Sequence, residues 1–543
     1  MTVGQGGEAF DYVIVGAGSA GCVIANRLSE DAGTRICLVE AGPQTRHPFV
    51  SIPLGMVGLI DHPRLNWRYM SAPQQAAGGR RYPIPRGKML GGTSSLNGMV
   101  YTRGQAADFD GWAALGNPGW SYREVLPYFM KSEDNLDFHD AWHAQSGPMT
   151  VATAREPNPL ALRFLQAAQE LQYPLNPDPN GARQEGFGLR QVNIRDGRRV
   201  SSESAFLRPA RSRRNLHVVT GSEALKIEII DKRASAVVLS DGRRLEAHRE
   251  VVLSAGVIGS PVLLMRSGLG PAEHLRSHGI EVLADLPEVG QNLHDHPSVQ
   301  LIWRGATGES YGISARGLPG LALSTIRYFL TGKGVPGSNV FEAAGYIRSR
   351  PDLAEPDTQL VFCAAFRKPG GTLGVGHGYA LGIVGLKPKS RGSITLSGST
   401  ISDQPIIDPN LLSDESDLEV LIEGVNAGRR VLSAPAFEGK GHAEIAPGTH
   451  VQGRQALAEH IRNSVNTAFH PVGTCAMKPD GVVSGELKVR GVDGLRVADA
   501  SIMPTITSGN THAPTVMIGE KCADLIRGRT LEAWQPPADL ETV

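Results

Sequence analysis

The chain has 543 residues and carries 54 basic and 54 acidic side chains, so its formal net charge is zero. A chain of this length forms about two to four domains, and its 41% hydrophobic and 20% charged residues are ordinary for a globular protein. The balanced charge, without a basic stripe, argues against a nucleic-acid partner.

The five cysteines are far apart in the sequence, and none belongs to a C-x-x-C pair. This pattern favours free thiols in a reducing compartment over a disulfide framework or a zinc site. The first ten residues lack the basic and apolar regions of a secretory leader, and no run of about 18 apolar residues could span a bilayer. We therefore expect a cytoplasmic protein, for which peripheral contact with the inner face of the membrane stays open.

The N-terminal elements form one strand–helix–strand unit. Residues 11–16 (DYVIVG) predict a buried strand, and residues 19–29 predict a helix with apolar side chains at helical spacing. Residues 35–39 (RICLV) predict a second buried strand.

Three glycines in a G-x-G-x-x-G pattern connect the first strand to its helix. Gly16 makes the tight turn, Gly18 lets a pyrophosphate approach the backbone, and Gly21 lets helix and strand pack closely. Glu40 follows the second strand, where a carboxylate can bind a pair of ribose hydroxyls. The order strand, helix, strand and acid favours a dinucleotide site over a purely structural turn. The motif argues against a 2′-phosphate but does not choose between FAD and NAD.

Residues 43–125 are rich in glycine and proline, which predicts long loops wrapped around a bound group. A second glycine pair, Gly91 and Gly92, lies in the segment GKMLGGTSSLN. The polar side chains that follow this pair are Thr93, Ser94 and Asn97. Such a loop suits a pyrophosphate or the polar edge of a flavin ring, although its composition is also that of a plain polar turn. Together with the first motif, this loop favours FAD over NAD.

The rest of the chain predicts a mixture of strands and helices. Apolar and polar residues alternate over residues 216–253, on both sides of the turn DGR. This pattern predicts a small antiparallel sheet joined to a parallel strand. The other predicted elements are helices at 160–171, 414–432 (with Ser413 as N-cap) and 514–526 (beginning at Pro514), and strands at 358–366, 379–387 and 495–499.

Two histidines stand in polar segments near the C-terminus, His470 in TAFHPVGT and His512 in TSGNTHAPT. The predicted strand between them would bring their loops to one edge of a sheet. Alcohol oxidation by hydride transfer needs a base for the hydroxyl proton, a group that fixes the oxygen, and an acceptor beside the carbon. Histidine suits the base because its pKa of about 6.5 lies near working pH. The positive end of a helix suits the acceptor because a reduced flavin carries negative charge.

Structural and metal-binding roles are the alternatives for these histidines. A histidine held in place by hydrogen bonds is the common case for any single position, and no matching carboxylate or cysteine set accompanies the pair. The segment NLHDHP, with His294, Asp295 and His296, has the residue types of a metal site. Without a further ligand at useful spacing we interpret it as a polar turn, and we predict no metal.

Several segments together resemble the glucose–methanol–choline (GMC) oxidoreductase family, over nearly the whole chain from Asp11 to Gly528. They are DYVIVGAGSAGCVIANRL, GKMLGGTSSLNGMVYTRGQAADFD, SAGVIGSPVLLMRSGLGP, FHPVGT and VADASIMPTITSGNTHAPTVMIGEKCADLI. The third departs from the family at Val257, where a smaller residue such as alanine is usual. Within the family, the chain most resembles choline-dehydrogenase-like bacterial alcohol dehydrogenases, and it also resembles furfuryl and aryl alcohol oxidases.

The resemblance implies an α/β fold, with a Rossmann-like FAD-binding domain and an interleaved α+β substrate domain built on an antiparallel sheet with flanking helices. The FAD-binding domain would comprise residues 8–160, 200–300 and 462–528, and the substrate domain would comprise residues 301–461. The implied reaction is oxidation of a primary, apolar or aromatic alcohol to the aldehyde. A hydride would pass to flavin N5, and the electrons would then pass to a quinone-like acceptor or to oxygen.

The resemblance also implies roles for individual residues. His470 would be the catalytic base, and His512 would be its partner on the substrate oxygen. Leu96 stands where some relatives have a histidine that links FAD covalently, so FAD would be held non-covalently. The implied cofactor positions are Gly16, Gly18, Ser19, Ala20, Gly21, Glu40, Gly91, Gly92, Thr93, Ser94, Asn97, Gly98, Val100, Val219 (by the adenine), Ala255, Asp499, Ala500, Asn510 and His512.

The substrate pocket would be lined partly by Phe362, Phe366, Phe469 and His470, which suits an apolar alcohol better than a sugar. Choline dehydrogenase and oxygen-using aryl or furfuryl alcohol oxidase are the alternatives, although choline needs an acidic or aromatic cage for its cation. A lyase on the same fold and a non-catalytic flavoprotein are further alternatives. Reduction of the flavin by an alcohol would exclude both of these last two.

Overall fold

The computed structural model describes residues 8–44, 47–305, 309–315, 317–368, 374–438 and 442–537. The prediction about a secretory leader concerns the first ten residues, and residues 1–7 of these lie outside the described part of the chain. Among the described helices, none combines the length and the apolar character that crossing a bilayer requires.

Two large sheets organise the described part of the chain. Their strands are β1 (Glu8–Val15), β2 (Ile36–Glu40), β3 (Gly186–Leu189), β4 (Leu216–Thr220), β5 (Ala224–Ile230), β6 (Arg233–Leu239), β7 (Arg244–Leu253), β8 (Pro297–Arg304), β9 (Ala343–Ile347), β10 (Thr358–Cys363), β11 (Gly378–Gly385), β12 (Ala443–Ala446), β13 (Asn466–Thr467) and β14 (Leu495–Val497).

Helices cover the outer faces of both sheets. The longer helices are α1 (Ser19–Leu28), α2 (Ala106–Ala114), α3 (Tyr122–Ser132), α4 (Pro159–Glu170), α5 (Gly256–Arg266), α6 (Leu318–Thr331), α7 (Glu415–Leu432), α8 (Gly453–Ser464) and α9 (His512–Ile526).

Shorter elements connect these helices and strands. They are the helices Pro48–Ser51, Met56–Leu59, Arg208–Ala210 and Ala272–Ser277, the π-turn Glu203–Leu207, the 3-10 turns Pro53–Gly55, Gln75–Ala77, Gly92–Ser95, Val335–Gly337, Pro435–Phe437 and Ala500–Ile502, and the strands Tyr69–Met70, Pro83–Ile84, Glu133–Asn135, Met149–Thr153, Gln191–Val192, Ile194–Arg195, Arg198–Arg199, Leu269–Gly270, Ala284–Asp285, Ser393–Thr395 and Ile406–Asp408.

The first sheet has the strand order β4-β2-β1-β7-β6-β5, and β14 pairs with β7. Strands β4, β2, β1, β7 and β14 run parallel, and β7, β6 and β5 form an antiparallel meander. The parallel strands are buried hydrophobic runs, and helices α1 and α9 pack together beside them. This arrangement confirms the predicted strand–helix–strand unit and the meander joined to it.

The second sheet is antiparallel throughout, with the order β12-β8-β11-β10-β9-β3, and β13 pairs with β8. Side chains alternate between its two faces. Leu360, Phe362 and Leu381 face a core that includes Leu421 and Val425 of α7. The opposite face carries no covering helix in the described residues and is turned toward the first sheet. The functional cavity lies on this face.

Some helices begin at residues other than those predicted, and helix α2 was not predicted. Helix α9 begins at His512, so Pro514 is its third residue. The N-cap of α7 is Asp414, whose carboxylate accepts from the Ser416 N–H at 2.9 Å. Helix α2 was missed within the segment predicted as long loops, because the glycine and proline content masked a capping box between Gln105 and Asp108.

The two sheets interleave more closely than the predicted domain ranges. Strand β3 and helix α4 contribute to the second sheet and its core, although α4 lies wholly outside the predicted substrate range and β3 lies outside all of the ranges. Conversely, Ile394 and Ile407 belong to the core of the first sheet. The pairing of β13 with β8 likewise ties residues 466–467 to the second sheet. The domain boundaries remain a prediction. Pairing between strands that are distant in sequence leaves no local pattern from which such boundaries could be predicted.

Candidate active site

A cavity of about 880 Å³ lies between the two sheets. On one side it is lined by the carboxyl ends of β1, β2 and β7, where open α/β sheets bind ligands. On the other side it is lined by Ser298, Gln359, Ala380 and their neighbours on the uncovered face of the second sheet. Its size is that of a cavity for a cofactor with a small substrate.

Two glycine loops meet at the first sheet and leave room only for backbone. Gly16 has φ +101°, and a Cβ there would lie 2.4 Å from the Ser254 carbonyl oxygen. Gly92 has φ +52°, and a Cβ there would lie 2.8 Å from the Gly18 Cα. The Gly91 N–H donates to the Ala17 carbonyl at 2.8 Å. The two predicted motifs therefore form one cradle, as a bound pyrophosphate requires.

Three helices present their N-termini to this cavity, and none has a side-chain cap hydrogen bond. These are α1 at Ser19, α5 at Gly256 and α9 at His512. The N–H groups of the first turn and the positive end of the helix dipole favour negative charge at such positions, and at α5 the Asp499 carboxylate already accepts from the Gly256 N–H. The cavity can thus hold the negative charge of a dinucleotide and of a reduced flavin.

Two buried carboxylates order the backbone around the cavity. Glu40 accepts from the N–H groups of Ala17 at 3.0 Å and Gly42 at 2.8 Å, and burial raises its pKa to about 7. Asp499 accepts from the Gly256 N–H at 2.9 Å and from the Ser260 hydroxyl at 2.6 Å. Burial also raises the pKa of Asp499. Both carboxylates line the cavity.

His470 lies at the meeting point of the two sheets, where its ring faces the cavity. Its Nε2 atom is 2.8 Å from Asn510 Nδ2, and its Nδ1 atom is 3.1 Å from His296 Nδ1. Burial lowers the pKa of His470 well below its usual value, and the positive charges of Arg86 and Arg190 add to this effect. The ring is therefore neutral near pH 7 and can accept a proton.

A chain of hydrogen bonds selects the nitrogen of His470 that accepts. The Leu386 carbonyl is 3.1 Å from His296 Nε2, so that nitrogen carries the proton and donates it. Burial lowers the pKa of His296 to about 4, which keeps the ring neutral and leaves its Nδ1 as an acceptor. His470 must then donate from its own Nδ1, which leaves the lone pair of Nε2 directed at Asn510 and the cavity.

Asn510 is oriented by a buried cation. The Arg190 guanidinium donates to Asn510 Oδ1 at 2.8 Å, so the amide oxygen faces Arg190 and the NH₂ group faces His470. Both Asn510 and Arg190 line the cavity. One donor and one acceptor, Asn510 Nδ2 and His470 Nε2, thus lie side by side at hydrogen-bond distance.

The backbone at His470 is held in an uncommon conformation. Phe469 has φ +66°, a left-handed value that few non-glycine residues adopt. Arg86 donates to the Phe469 carbonyl at 2.5 Å, and the His470 N–H donates to Asp295 Oδ1 at 2.9 Å. Burial raises the pKa of Asp295 to about 7. These bonds fix the turn and aim the His470 ring.

His512 lies in the first turn of α9 and lines the same cavity, but its partner is on the dinucleotide side. Its Nδ1 atom is 3.1 Å from the Ser19 hydroxyl, and its buried Nε2 atom has no hydrogen-bond partner. The structure therefore brings Asn510, and not His512, to His470. This corrects the expectation that the two imidazoles form a pair, because the start of α9 at His512 turns that side chain toward α1.

Most of the predicted cofactor residues line the cavity. They are Gly16, Gly18, Ser19, Ala20, Glu40, Gly92, Thr93, Ser94, Asn97, Gly98, Val100, Ala255, Asp499, Ala500, Asn510 and His512. Three others lie beside it. Gly21 packs against the Gly16 carbonyl, Gly91 packs against Ser95, and Val219 pairs with Val39 in the edge strand β4.

Two of the aromatic residues predicted for the pocket do not line it. Phe362 stacks on Phe164 at 5.0 Å between ring centres, inside the core of the second sheet. Phe366 packs beneath Arg304 in a small cluster with Cys363 and Ala380, which line the cavity, but Phe366 itself does not line it. On β10 the alternate positions Gln359, Val361 and Cys363 line the cavity instead. The sequence shows that a strand has two faces but does not show which face meets the cavity.

Two functional neighbours of His470 and Asn510 differ from the expectation. His296, predicted to be part of a polar turn, contacts His470, and Arg190, for which the sequence predicts no role, contacts Asn510. The signal for His296 was a pair of histidines around an aspartate immediately before the strand β8. Nothing in the local sequence marks Arg190, because its partner Asn510 is 320 residues away.

A nucleotide cradle on a mostly parallel sheet, with a neutral histidine and an amide side by side at the cavity between this sheet and a second one, defines the fold and site of an FAD-dependent oxidoreductase. The chain belongs to the GMC oxidoreductase family. The sequence matches the family's N-terminal part over residues 10–298 and its C-terminal part over residues 388–519.

Individual relatives share nearly the full length of the chain. An alcohol dehydrogenase [acceptor] of Pseudomonas putida is 42% identical over 530 residues, 95% of each chain. An oxygen-dependent choline dehydrogenase of Brucella ovis is 40% identical over 528 residues, 96% of each chain. The crystal structure of pyridoxine 4-oxidase from Mesorbium loti superimposes with a TM-score of 0.86 at 31% identity, covering 96% of this chain and 100% of the other.

A further solved relative carries FAD. A variant of the Aspergillus oryzae formate oxidase, studied for its effect on FAD modification, has a TM-score of 0.90 at 28% identity and covers 97% of this chain and 99% of the other. The residues that line the cavity fit this cofactor, because the cradle has no room for a Cβ at Gly16 or Gly92 and His512 Nε2 lacks a partner. The protein is an FAD-dependent enzyme that oxidises alcohols.

Proposed function

We propose that the enzyme oxidises primary apolar or aromatic alcohols to aldehydes, with His470 as the base and Asn510 as the group that binds the substrate oxygen. The observation that carries this proposal is the adjacent pair of His470 Nε2 and Asn510 Nδ2 at the cavity wall, 2.8 Å apart. A substrate hydroxyl inserted at this pair would donate to the first atom and accept from the second.

His470 takes the hydroxyl proton at Nε2 while Asn510 donates to the oxygen that becomes the carbonyl. The His470 Nδ1–H bond to His296 keeps the ring in the orientation this transfer needs. Arg190 keeps the amide NH₂ turned toward the substrate. FAD, when bound, supplies the hydride acceptor. The apolar wall excludes water, which strengthens each of these hydrogen bonds.

The wall opposite the cradle supports an apolar substrate. Strands β8, β10 and β11 contribute Ile302, Val361 and Val384, and Phe469 stands next to the base. Three polar side chains, Ser298, Gln300 and Gln359, stand among the apolar ones on this wall, and Gln300 Oε1 is buried there without a hydrogen-bond partner. We infer a substrate that is mostly hydrocarbon, with one hydroxyl at His470.

Choline is the less favoured substrate of the alternatives. A quaternary ammonium needs an acid or an aromatic cage. Among the described residues that line the cavity, those contributed by β8, β10 and β11 include no acid, and the nearby charged side chains Arg86, Arg190 and Arg367 are cations. A lyase would use the same pocket without reducing the flavin, so bleaching of the flavin by an alcohol distinguishes an oxidising enzyme from a lyase.

The electron acceptor is either a quinone-like compound or oxygen. Ala468 and Gly98 are small residues that line the cavity, which favours access of oxygen, whereas the acceptor-dependent relative from Pseudomonas putida favours a quinone-like compound. FAD is held non-covalently, because Leu96 at the cavity wall has no nucleophilic atom. Five buried, unpaired cysteines support a reducing, cytoplasmic location.

An anaerobic substrate panel tests the proposal. Purified holoenzyme is mixed without oxygen with aliphatic, aromatic, choline and sugar alcohols, and the visible flavin absorbance is followed. We expect bleaching with primary apolar or aromatic alcohols and little with choline. Reoxidation by oxygen and by a quinone-like dye is then compared. Absence of bleaching with every alcohol would favour the lyase, and preferential bleaching by choline would overturn the assigned substrate class.

A further inference from the structure

Helix α6 exposes apolar side chains to solvent to an unusual degree. Leu323, Phe329 and Leu330 are 68%, 71% and 79% exposed. Tyr328 is its one buried residue, and the Tyr328 hydroxyl donates to the Gly197 carbonyl at 3.0 Å. The helix is therefore anchored by one side only, and an isolated exposed apolar helix of this kind calls for a covering partner.

The exposed residues form one continuous stripe, which we call the α6 face. Its members are Leu318, Pro319, Ala322, Leu323, Ile326, Phe329 and Leu330. At about 100° per residue they occupy an arc of roughly 140°. Ile313, just before the helix, and its bridge partner Val375 are also exposed and extend the surface.

The segment of sequence that carries the α6 face is basic. Residues 310–341 contain three basic residues, Arg316, Arg327 and Lys333, and no aspartate or glutamate. Of these, Arg327 pairs with Glu156 at 2.5 Å and Lys333 is exposed. An apolar stripe with basic residues at its border is the pattern of a helix that lies in the interface of an anionic membrane.

The α6 face is continuous with the mouth of the active-site cavity. The turn Val335–Gly337 contacts both α6 and the turn Pro53–Gly55. The residues that follow the second turn, Val57 and Ile60, line the cavity and are 42% and 37% exposed. A flat apolar phase that covered α6 would therefore meet the cavity entrance.

We propose that the α6 face inserts into the interfacial layer of an anionic phospholipid bilayer and holds the cavity mouth against it. An apolar alcohol dissolved in the bilayer then enters the cavity without crossing water. The choice of substrate rests on the proposed function, whereas the docking itself does not depend on catalysis.

A second copy of the chain is a poorer occupant of this face. A two-fold dimer through α6 would place the same basic border opposite itself, because such an interface joins identical surfaces. Arg327 already has Glu156 as its partner, and the exposed Lys333 would find no acidic partner among residues 310–341 of the second copy. An anionic membrane offers both the apolar layer and the opposite charge.

Flotation of the holoenzyme with vesicles tests the proposal. The vesicles contain phosphatidylcholine alone or phosphatidylcholine mixed with phosphatidylglycerol. The test variant carries Leu323→Ser, Phe329→Ser and Leu330→Ser, all highly exposed positions. The control variant carries Leu162→Ser, Leu175→Ser and Ile230→Ser, which are exposed apolar residues outside the α6 face.

We expect the unsubstituted enzyme and the control to float with anionic vesicles, and the test variant to lose binding by roughly tenfold or more. High salt should weaken the binding. Equal flotation of test and control variants, or none by the unsubstituted enzyme, would overturn the proposal. A solution dimer that the test substitutions dissociate, without flotation, would show a protein interface instead.

Activity toward a water-soluble alcohol separates this proposal from the proposed function. We expect the test variant to bleach its flavin with such an alcohol as fast as the unsubstituted enzyme does, which also shows that the variant is folded. An enzyme that floats but is reduced by no alcohol would keep the docking proposal and overturn the proposed function.

Discussion

The nitrogen of His470 that faces the cavity is selected by a hydrogen-bond chain that starts at the Leu386 carbonyl. That carbonyl fixes the proton of His296 on Nε2, and His296 in turn draws the His470 proton to Nδ1. The base is thus positioned by a second histidine that has no need to touch the substrate.

Replacement of His296 tests this positioning role. His296→Leu removes the acceptor of the His470 Nδ1–H, so the ring can rotate or change tautomer. We expect the rate of flavin reduction to fall, by up to roughly 10⁴-fold, the cost of a wrong tautomer in a catalytic triad. His296→Asn restores an acceptor oxygen and should recover much of the rate. Equal rates for His296→Leu and the unsubstituted enzyme in anaerobic mixing would rule out the role.

The pH dependence of kcat/KM follows from the lowered pKa of His470. A base works in its neutral form, so its activity is complete above its pKa and is lost as the pH falls through it. Because burial holds this pKa well below the usual value, we expect kcat/KM to stay level between about pH 8 and about pH 6.5. Steady-state assays with a dye acceptor measure this. An inflection for a required base at or above about pH 6.5 would contradict the assigned environment.

At the scale of elements, two loops from different parts of the chain make one cradle. The turn after β1 and the 3-10 turn Gly92–Ser95 touch through glycines, and a Cβ on Gly92 would lie 2.8 Å from Gly18. Their contact needs backbone alone, so the cradle tolerates no side chain at this point.

Gly92→Ala should therefore abolish FAD binding. Gly79→Ala is the matched control, because Gly79 also has positive φ, +66° against +52°, but has no atom within 4 Å of its Cβ position. Both changes carry a left-handed penalty of about 1–2 kcal/mol, and Gly92→Ala alone also forces the loops apart. Flavin content of the purified proteins measures the difference. Retention of normal FAD by Gly92→Ala would show that the contact is dispensable.

Local sequence patterns predicted the elements near the cradle well. The strands β1, β2, β4 and β5 and the glycine turns follow from short hydrophobic runs and from spacing within about 30 residues. The group around His470 could not be predicted in this way, because His296, His470 and Asn510 come from distant segments. The side of β10 that meets the cavity was likewise undetermined, which is why Phe362 was misplaced.

At the scale of the whole molecule, two cores face each other across one cavity. The first sheet supplies the cradle and the second supplies the apolar wall, while β13 and the His470 turn join them. A cofactor bound between them contacts both, so it should stabilise the pair as a unit.

Loss of FAD should consequently lower the thermal stability of the protein. Ligand binding to the folded state adds about 2.7 kcal/mol at a free concentration of about 100 times Kd. We expect the unfolding midpoint of the apoprotein to rise with added FAD and to approach that of the holoenzyme. Differential scanning calorimetry measures this, and acid precipitation should release the flavin into the supernatant. A midpoint that does not respond to FAD would contradict the fit of the cavity.

The most direct test of the central claim is the rate of anaerobic flavin reduction in His470→Ala, per bound flavin, with a primary apolar alcohol. We predict a rate lower by roughly 10²–10⁴-fold, as expected for loss of a general base. His512→Gln, measured in the same way, should lower the flavin content of the purified protein. Its rate of flavin reduction per bound flavin should change less. Reduction of His470→Ala at nearly the unsubstituted rate would contradict the assignment of His470 as the base.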